Sequence, residues 1–246
     1  MEQMPSNTPV MESKPGPVGW VQTWITAVTK PNEQTFVDMT EQPNATSKTA
    51  FIWMFIAGTI SAIFQTILQA IYSATGYTPQ IPGLEEYMPT VGGDPTTMGI
   101  SLITGLCLSP LGGLLAVLFF AIGVAIVQWI AKLFGGVGTF EKLAYAMAAI
   151  SVPFTLVSSI LALFSAIPFV GFCTGLLSFG LGIYGLVLQV MAVKGINRFG
   201  WGSAIGSVLI PGFVVFLLCF CVAFMLALLI APMFGDVFTS MQQLVP

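Results

Sequence analysis

The sequence predicts an all-α integral membrane protein: a five-span transmembrane helical bundle with its N-terminus in the cytoplasm and its C-terminus outside. Three observations carry that expectation. Only 7% of the 246 residues are charged, seven Lys or Arg and ten Asp or Glu, against roughly 25% in soluble domains. Apolar residues make up 56% of the chain and mean hydropathy is +0.92, more apolar surface than one globule of this length could bury behind a wettable exterior. The scarce charges are spaced so that long uncharged intervals lie between them, and ionised groups are costly near a bilayer centre.

The N-terminal segment, 1–48, carries scattered prolines among polar residues and lacks the basic start, apolar core and cleavage site of a signal peptide. The first span is therefore expected to stay uncleaved. Within the segment, a short helix is expected at about 18–30, ended by Pro31. Its Trp20 and Trp24 sit four residues apart beside Val21, Ile25 and Val28. Trp20, Trp24 and Ile25 are candidate interfacial anchors, with the indoles at headgroup depth; docking on the bundle's own cytoplasmic end is the other reading.

Each crossing needs about 20 apolar residues. The first is expected at 49–73, followed by an external loop at 74–105 rich in Pro and Gly. Asp94-Pro95 has the form of an N-cap followed by proline in the first helical turn, so a helix could begin there, ahead of a second span centred on 106–130. The uncharged interval between Lys142 and Lys194 is long enough for a hairpin of two crossings, 143–167 and 169–193, turned at Pro168 and Gly171. The fifth span is expected at 204–231. A four-span alternative would require a re-entrant second or fifth segment.

Lys14, Lys30 and Lys48 precede the first span, Lys132 and Lys142 join the second to the third, and Lys194 and Arg198 join the fourth to the fifth. Five alternating crossings put all of them on one side, and the positive-inside rule makes that side cytoplasmic. The sequon Asn44-Ala45-Thr46 then lies where N-glycosylation does not occur.

Small residues show where helices could approach closely. Ala144, Ala148, Ser151, Thr155, Ser158, Ala162 and Ser165 in the third span recur at spacings of four and three, as do Gly171, Gly175, Ser178, Gly182 and Gly185 in the fourth. That repeat predicts a left-handed pair with a continuous seam. A partial version, Gly105, Ser109, Gly112, Ala116 and Gly123, makes the second span the third member. Hydroxyls of Ser151, Thr155 and Ser158 surround Pro153, where they could recover bonding lost by a freed carbonyl. Gln65, Gln69 and Gln189 are read as interhelical hydrogen-bonding groups, with a polar lining for a solute path as the alternative.

Several function classes are excluded or weakened. The chain has no histidine, which removes Ser-His and Cys-His pairs, HExxH zinc sites and His-ligated haem. Cys107, Cys173, Cys219 and Cys221 sit in apolar runs and read as packing residues; none has metal-site spacing. An acidic pI of about 4.7 gives no nucleic-acid footprint. Gly135-Gly136-Val137-Gly138 lacks a phosphate-loop pattern and reads as a flexible turn. No catalytic, cofactor or metal site is expected, and the partners expected are the lipid bilayer, anionic lipid headgroups near the loop bases and other membrane proteins.

Taken in order, these motifs resemble the Yip (Ypt/Rab-interacting protein) domain family of five-span membrane proteins. The resemblance rests on Trp24 to Pro31 followed by Phe36, on Gly135-Gly136-Val137-Gly138-Thr139-Phe140, and on Tyr145 to Pro153. Tyr184 to Val193 before a basic turn and Ala204 to Pro211 complete it. It implies a cytoplasmic N-terminus and a polytopic bundle, and in eukaryotic members a link to Rab-type GTPases, vesicle formation and membrane shaping between endoplasmic reticulum and Golgi. The short N-terminal segment has no acidic or adaptor stretch and looks like the compact prokaryotic form, which argues against a GTPase partner. The expected location is the cell membrane, or the endoplasmic reticulum or Golgi membrane in a eukaryote. Two readings of function follow: a non-enzymatic protein for membrane organisation or partner scaffolding, and a small transporter or channel for a neutral solute.

Overall fold

The computed structural model describes residues 16–75, 95–165, 167 and 169–242, and every element among them is an α-helix. α1 (Pro17–Thr29) and α2 (Glu33–Thr40) are short; α3 (Ser47–Thr75), α4 (Pro95–Leu133), α5 (Phe140–Phe164), α6 (Val170–Asn197) and α7 (Trp201–Gln242) are long. α3 to α6 are each long and apolar enough to cross a membrane, and α7 contributes a shorter apolar stretch, Trp201–Val214, among the described residues. The loop expected at 74–105 is already helical from Pro95; its middle, 76–94, and the turn residue Pro168 lie outside the described residues.

Local chemistry sets the helix starts. Pro17 occupies the first turn of α1, where its missing N–H is no loss. The Asn32 side chain accepts from the Gln34 amide at 3.3 Å to begin α2, and Thr139 accepts from the Lys142 amide at 3.4 Å to begin α5. Thr46 of the sequon caps α3 by accepting from the Thr49 amide at 3.2 Å. The Glu141 carboxylate accepts from the Ser47 amide at 3.3 Å, placing a negative charge at the positive end of α3 and tying α5 to it.

α4 runs on through Pro110. Proline cannot donate to the carbonyl four residues back, here that of Leu106, and the Ser109 hydroxyl takes its place, donating to that oxygen at 2.8 Å. The compensation expected from the hydroxyls around Pro153 is thus found, among the described residues, at a different proline.

α3 is the hub, packed most extensively on α4 and α5. At the end of the bundle where α1 and α2 lie, α5 is enclosed on all sides, with Leu143 to Ile150 and Val152 buried. Beyond that collar the helices turn large apolar side chains outward, as at Phe119, Phe172, Phe179 and Phe213, surfaces suited to lipid. Cys107, Cys173 and Cys221 also lie exposed on these faces, rather than in the packed interior.

Candidate functional site

Among the described residues, the end of the bundle that carries α1 and α2 brings together the ion pairs and the buried amide network. Trp53, fully buried near the start of α3, is the centre of an aromatic set. Trp20 and Trp24 meet it edge-on at centroid distances of 6.1 and 5.6 Å, and Tyr145 of α5 lies at 4.9 Å. Edge-on pairs add roughly 0.5–1.5 kcal/mol each beyond burial. The Tyr184 hydroxyl fixes the far end of α1, donating to the Val28 carbonyl at 2.6 Å. The two tryptophans therefore hold α1 on the bundle, and the Trp24 and Trp53 indole nitrogens are buried without a hydrogen-bond partner among the described residues. Of the three residues expected as anchors, Ile25 alone faces outward, with Val18 and Val21 forming an exposed aliphatic stripe beside it.

The glycine-rich turn between α4 and α5 is clamped rather than flexible. Asn197, the last residue of α6 and almost fully buried, accepts from the Gly138 amide at 3.2 Å and from the Gln128 side-chain amide at 3.2 Å. Its own amide donates to the Val193 carbonyl at 3.1 Å, and its main-chain carbonyl accepts from Val137 N at 3.2 Å. Gln128 also donates to the Gly138 carbonyl at 2.7 Å. The glycines serve this close approach: a β-carbon on Gly136 would lie 2.6 Å from Asn197 Oδ1 and 2.8 Å from the Ala131 carbonyl oxygen, and one on Gly138 would lie 2.8 Å from Asn197 Oδ1. Gln128 and Asn197 were not singled out by the sequence pattern. Their only signal was a polar amide at each edge of an apolar run.

A charged cavity of about 570 Å³ lies beside this clamp, lined by Glu33, Gln34, Val37, Glu41, Lys194, Gly195, Arg198 and Phe199. Lys194 is paired with Glu33 and its Nζ sits 4.2 Å from the centroid of the Trp201 ring. Glu41 lies 3.7 Å from Lys142, both largely exposed. Gly195 lets α2 approach, since a β-carbon there would meet the Glu33 carbonyl oxygen at 2.9 Å. Arg198 closes α6 in the left-handed region, at φ 55° and ψ 42°, a conformation that costs a non-glycine residue about 1–3 kcal/mol.

The small-residue seams fall differently from the expected pattern. The tight pair is α3 with α4. β-Carbons added at Gly58, Gly105 and Gly112 would lie 2.6 Å from Ala116 Cβ, 2.5 Å from Thr66 Cγ2 and 2.9 Å from Ala62 Cβ respectively. Gly113 is pressed against Thr59 and the Phe55 carbonyl. Between α5 and α6, Ala148 is buried and Ser151 half-buried, but Ser158 is exposed. Among the described residues a β-carbon on Gly175 or Gly182 would meet nothing within 4 Å, and Gly171 faces the Ser165 carbonyl of the hairpin turn. At Gly185 the Phe154 ring comes between the helices, with its nearest atoms 3.7 Å from the added β-carbon. The expected continuous seam is thus a cleft of about 270 Å³ reaching Ser151, Ser158, Gly182 and Gln189. A second cleft of about 330 Å³, lined by Ser61, Gln65, Thr155 and Ser158 among others, opens between α3 and α5. Gln69 is exposed on α3 and lines neither cleft.

Fold and surface together define a polytopic helical membrane protein whose one end is closed by two short helices. The Yip1 domain family model matches residues 25–224, from the middle of α1 to within α7. The chain belongs to that family. Comparison with curated proteins and with solved structures found no match.

Proposed function

We propose that the protein is a non-enzymatic, five-span membrane protein that organises lipid or partner proteins at the face bearing α1 and α2. The observation that carries this reading is the construction of that face: α1 is fixed by Trp20, Trp24 and Tyr184, leaving Val18, Val21 and Ile25 outward. An apolar stripe on a rigid helix is a means of engaging a leaflet or another helix. Support for the topology comes from the ties described above: Ser47 to Glu141, Glu41 to Lys142 and Val137 to Asn197 gather Lys48, Lys132, Lys142, Lys194 and Arg198 at one end. On the positive-inside rule that end is cytoplasmic, α7 is the fifth span, and the C-terminus is external. The partners that fit are the bilayer, anionic lipid near these bases, and other membrane proteins in the membrane where the chain resides.

The test is a photocrosslinker at Val21 or Gln22 in cells, with imaging of liposomes reconstituted with the protein. Reproducible lipid or protein adducts, or altered vesicle shape, are expected; neither appearing would overturn the reading. Reporters at Met1 and Pro246 should respond in opposite compartments.

A second reading, passage of a neutral solute, is favoured by the two polar clefts on either side of Phe154, one reaching Gln65 and the other Gln189. Solute flux in proteoliposomes abolished by Gln65→Leu and Gln189→Leu would establish it in place of the first.

A further inference from the structure

We propose that the charged cavity between α2 and the end of α6 binds the phosphoethanolamine headgroup of a membrane lipid. The cavity, about 570 Å³, falls in the range of small-molecule sites. Its charged lining is balanced, with Glu33 and Glu41 against Lys194 and Arg198, so a ligand of zero net charge that carries both signs fits better than a net anion. Lys194 is already engaged by Glu33 and the Trp201 ring. Arg198 makes no ion pair among the described residues, and its exposed guanidinium presents a fork suited to phosphate oxygens.

The cationic end of the ligand has its own partners. Glu41 is held only loosely, 3.7 Å from Lys142. The closing carbonyls of α6 also favour positive charge. A primary ammonium can donate hydrogen bonds to a carboxylate, whereas a quaternary choline cannot and is recognised by several aromatic faces; among the described residues Phe199 is the one aromatic side chain in the lining, and the neighbouring Trp201 ring is taken by Lys194. A serine headgroup would add a carboxylate facing Glu33 and Glu41. Val37 and Phe199 supply apolar lining for the glycerol end. Arg198 is also kept in a backbone conformation that glycine would adopt freely, which a guanidinium at the ligand would explain.

The proposal rests on this end of the bundle lying at a membrane surface, and is independent of whether α1 recruits partners. The test uses the full-length protein in neutral detergent, titrated with phosphatidylethanolamine, phosphatidylcholine or phosphatidylglycerol and read by native mass spectrometry. Phosphatidylethanolamine should be retained at one per chain, at least tenfold more tightly than either other lipid. Glu41→Gln should erase the preference over phosphatidylcholine. Arg198→Gly should reduce retention at least tenfold without lowering the unfolding temperature, because glycine relieves the left-handed backbone; loss of binding then cannot be ascribed to unfolding. Equal retention of the three lipids, or a preference unchanged in both variants, would overturn the proposal. So would tight binding of free phosphoethanolamine without lipid preference, which would assign the cavity to a soluble phosphate ester.

Discussion

Asn197→Ala should be among the most damaging single changes outside the aromatic set. The substitution removes the acceptor for the Gly138 amide at 3.2 Å and for one proton of Gln128. Gln128 keeps one bond, to the Gly138 carbonyl at 2.7 Å, so the Gly138 amide and the other Gln128 amide proton are left stranded. A buried donor without a partner costs about 1–3 kcal/mol. The bond from Asn197 to the Val193 carbonyl and the packing of a nearly fully buried side chain are lost too, bringing the expected total to about 2–4 kcal/mol. Unfolding in bicelles followed by steric trapping would measure it. A double-mutant cycle with Gln128→Leu should give a coupling of about 0.5–3 kcal/mol. A loss under about 0.5 kcal/mol for Asn197→Ala, or additive effects in the cycle, would mean that the turn is held by something other than the clamp.

Within the same turn, Gly136→Ala should destabilise by about 1–3 kcal/mol, since its β-carbon would strike Asn197 and the Ala131 backbone. Gly135→Ala meets no atom of the described residues within 4 Å and is strained by φ +84°, about 1–2 kcal/mol; thermal shifts of the two variants compare the clash with the backbone strain. Trp53→Ala should cost about 3–5 kcal/mol and release α1, seen as faster proteolysis near Pro17. Gly113→Leu should separate α3 from α4, whereas Gly182→Ala should change the unfolding temperature little; disulfide trapping between cysteines at positions 62 and 112 would report the first. Ser109→Ala should cost about 1 kcal/mol through the uncovered Leu106 carbonyl.

Much of the architecture was legible because lipid imposes a simple rule on sequence. Uncharged intervals located α3, α5 and α6 to within a few residues, and α4 is already helical at Pro95, the first residue described there, although the expected loop ran past it. Pro31 and the paired tryptophans located α1. What those tryptophans touch was not legible: spacing places Trp20 and Trp24 on one face, but an indole serves an interface and a protein contact equally well. The clamp was hidden for a related reason. Gly136 and Gly138 look like a loose turn until Asn197, about 60 residues away in sequence, is seen in the space their missing side chains leave.

The sequence by itself determined that this is a helical membrane protein of the Yip1 domain family, because helix length, charge spacing and turn chemistry are local properties written in order along the chain. Only the tertiary structure decided which faces meet. Leaving lipid for protein gains an apolar side chain almost nothing, so hydropathy cannot distinguish a buried stripe from a lipid-facing one. The glycines of α4 found Gly58, Ala62 and Thr66, while on α6 the Phe154 ring packs at Gly185 and Gly175 and Gly182 meet no described neighbour. Steric fit between side chains far apart in sequence made that choice.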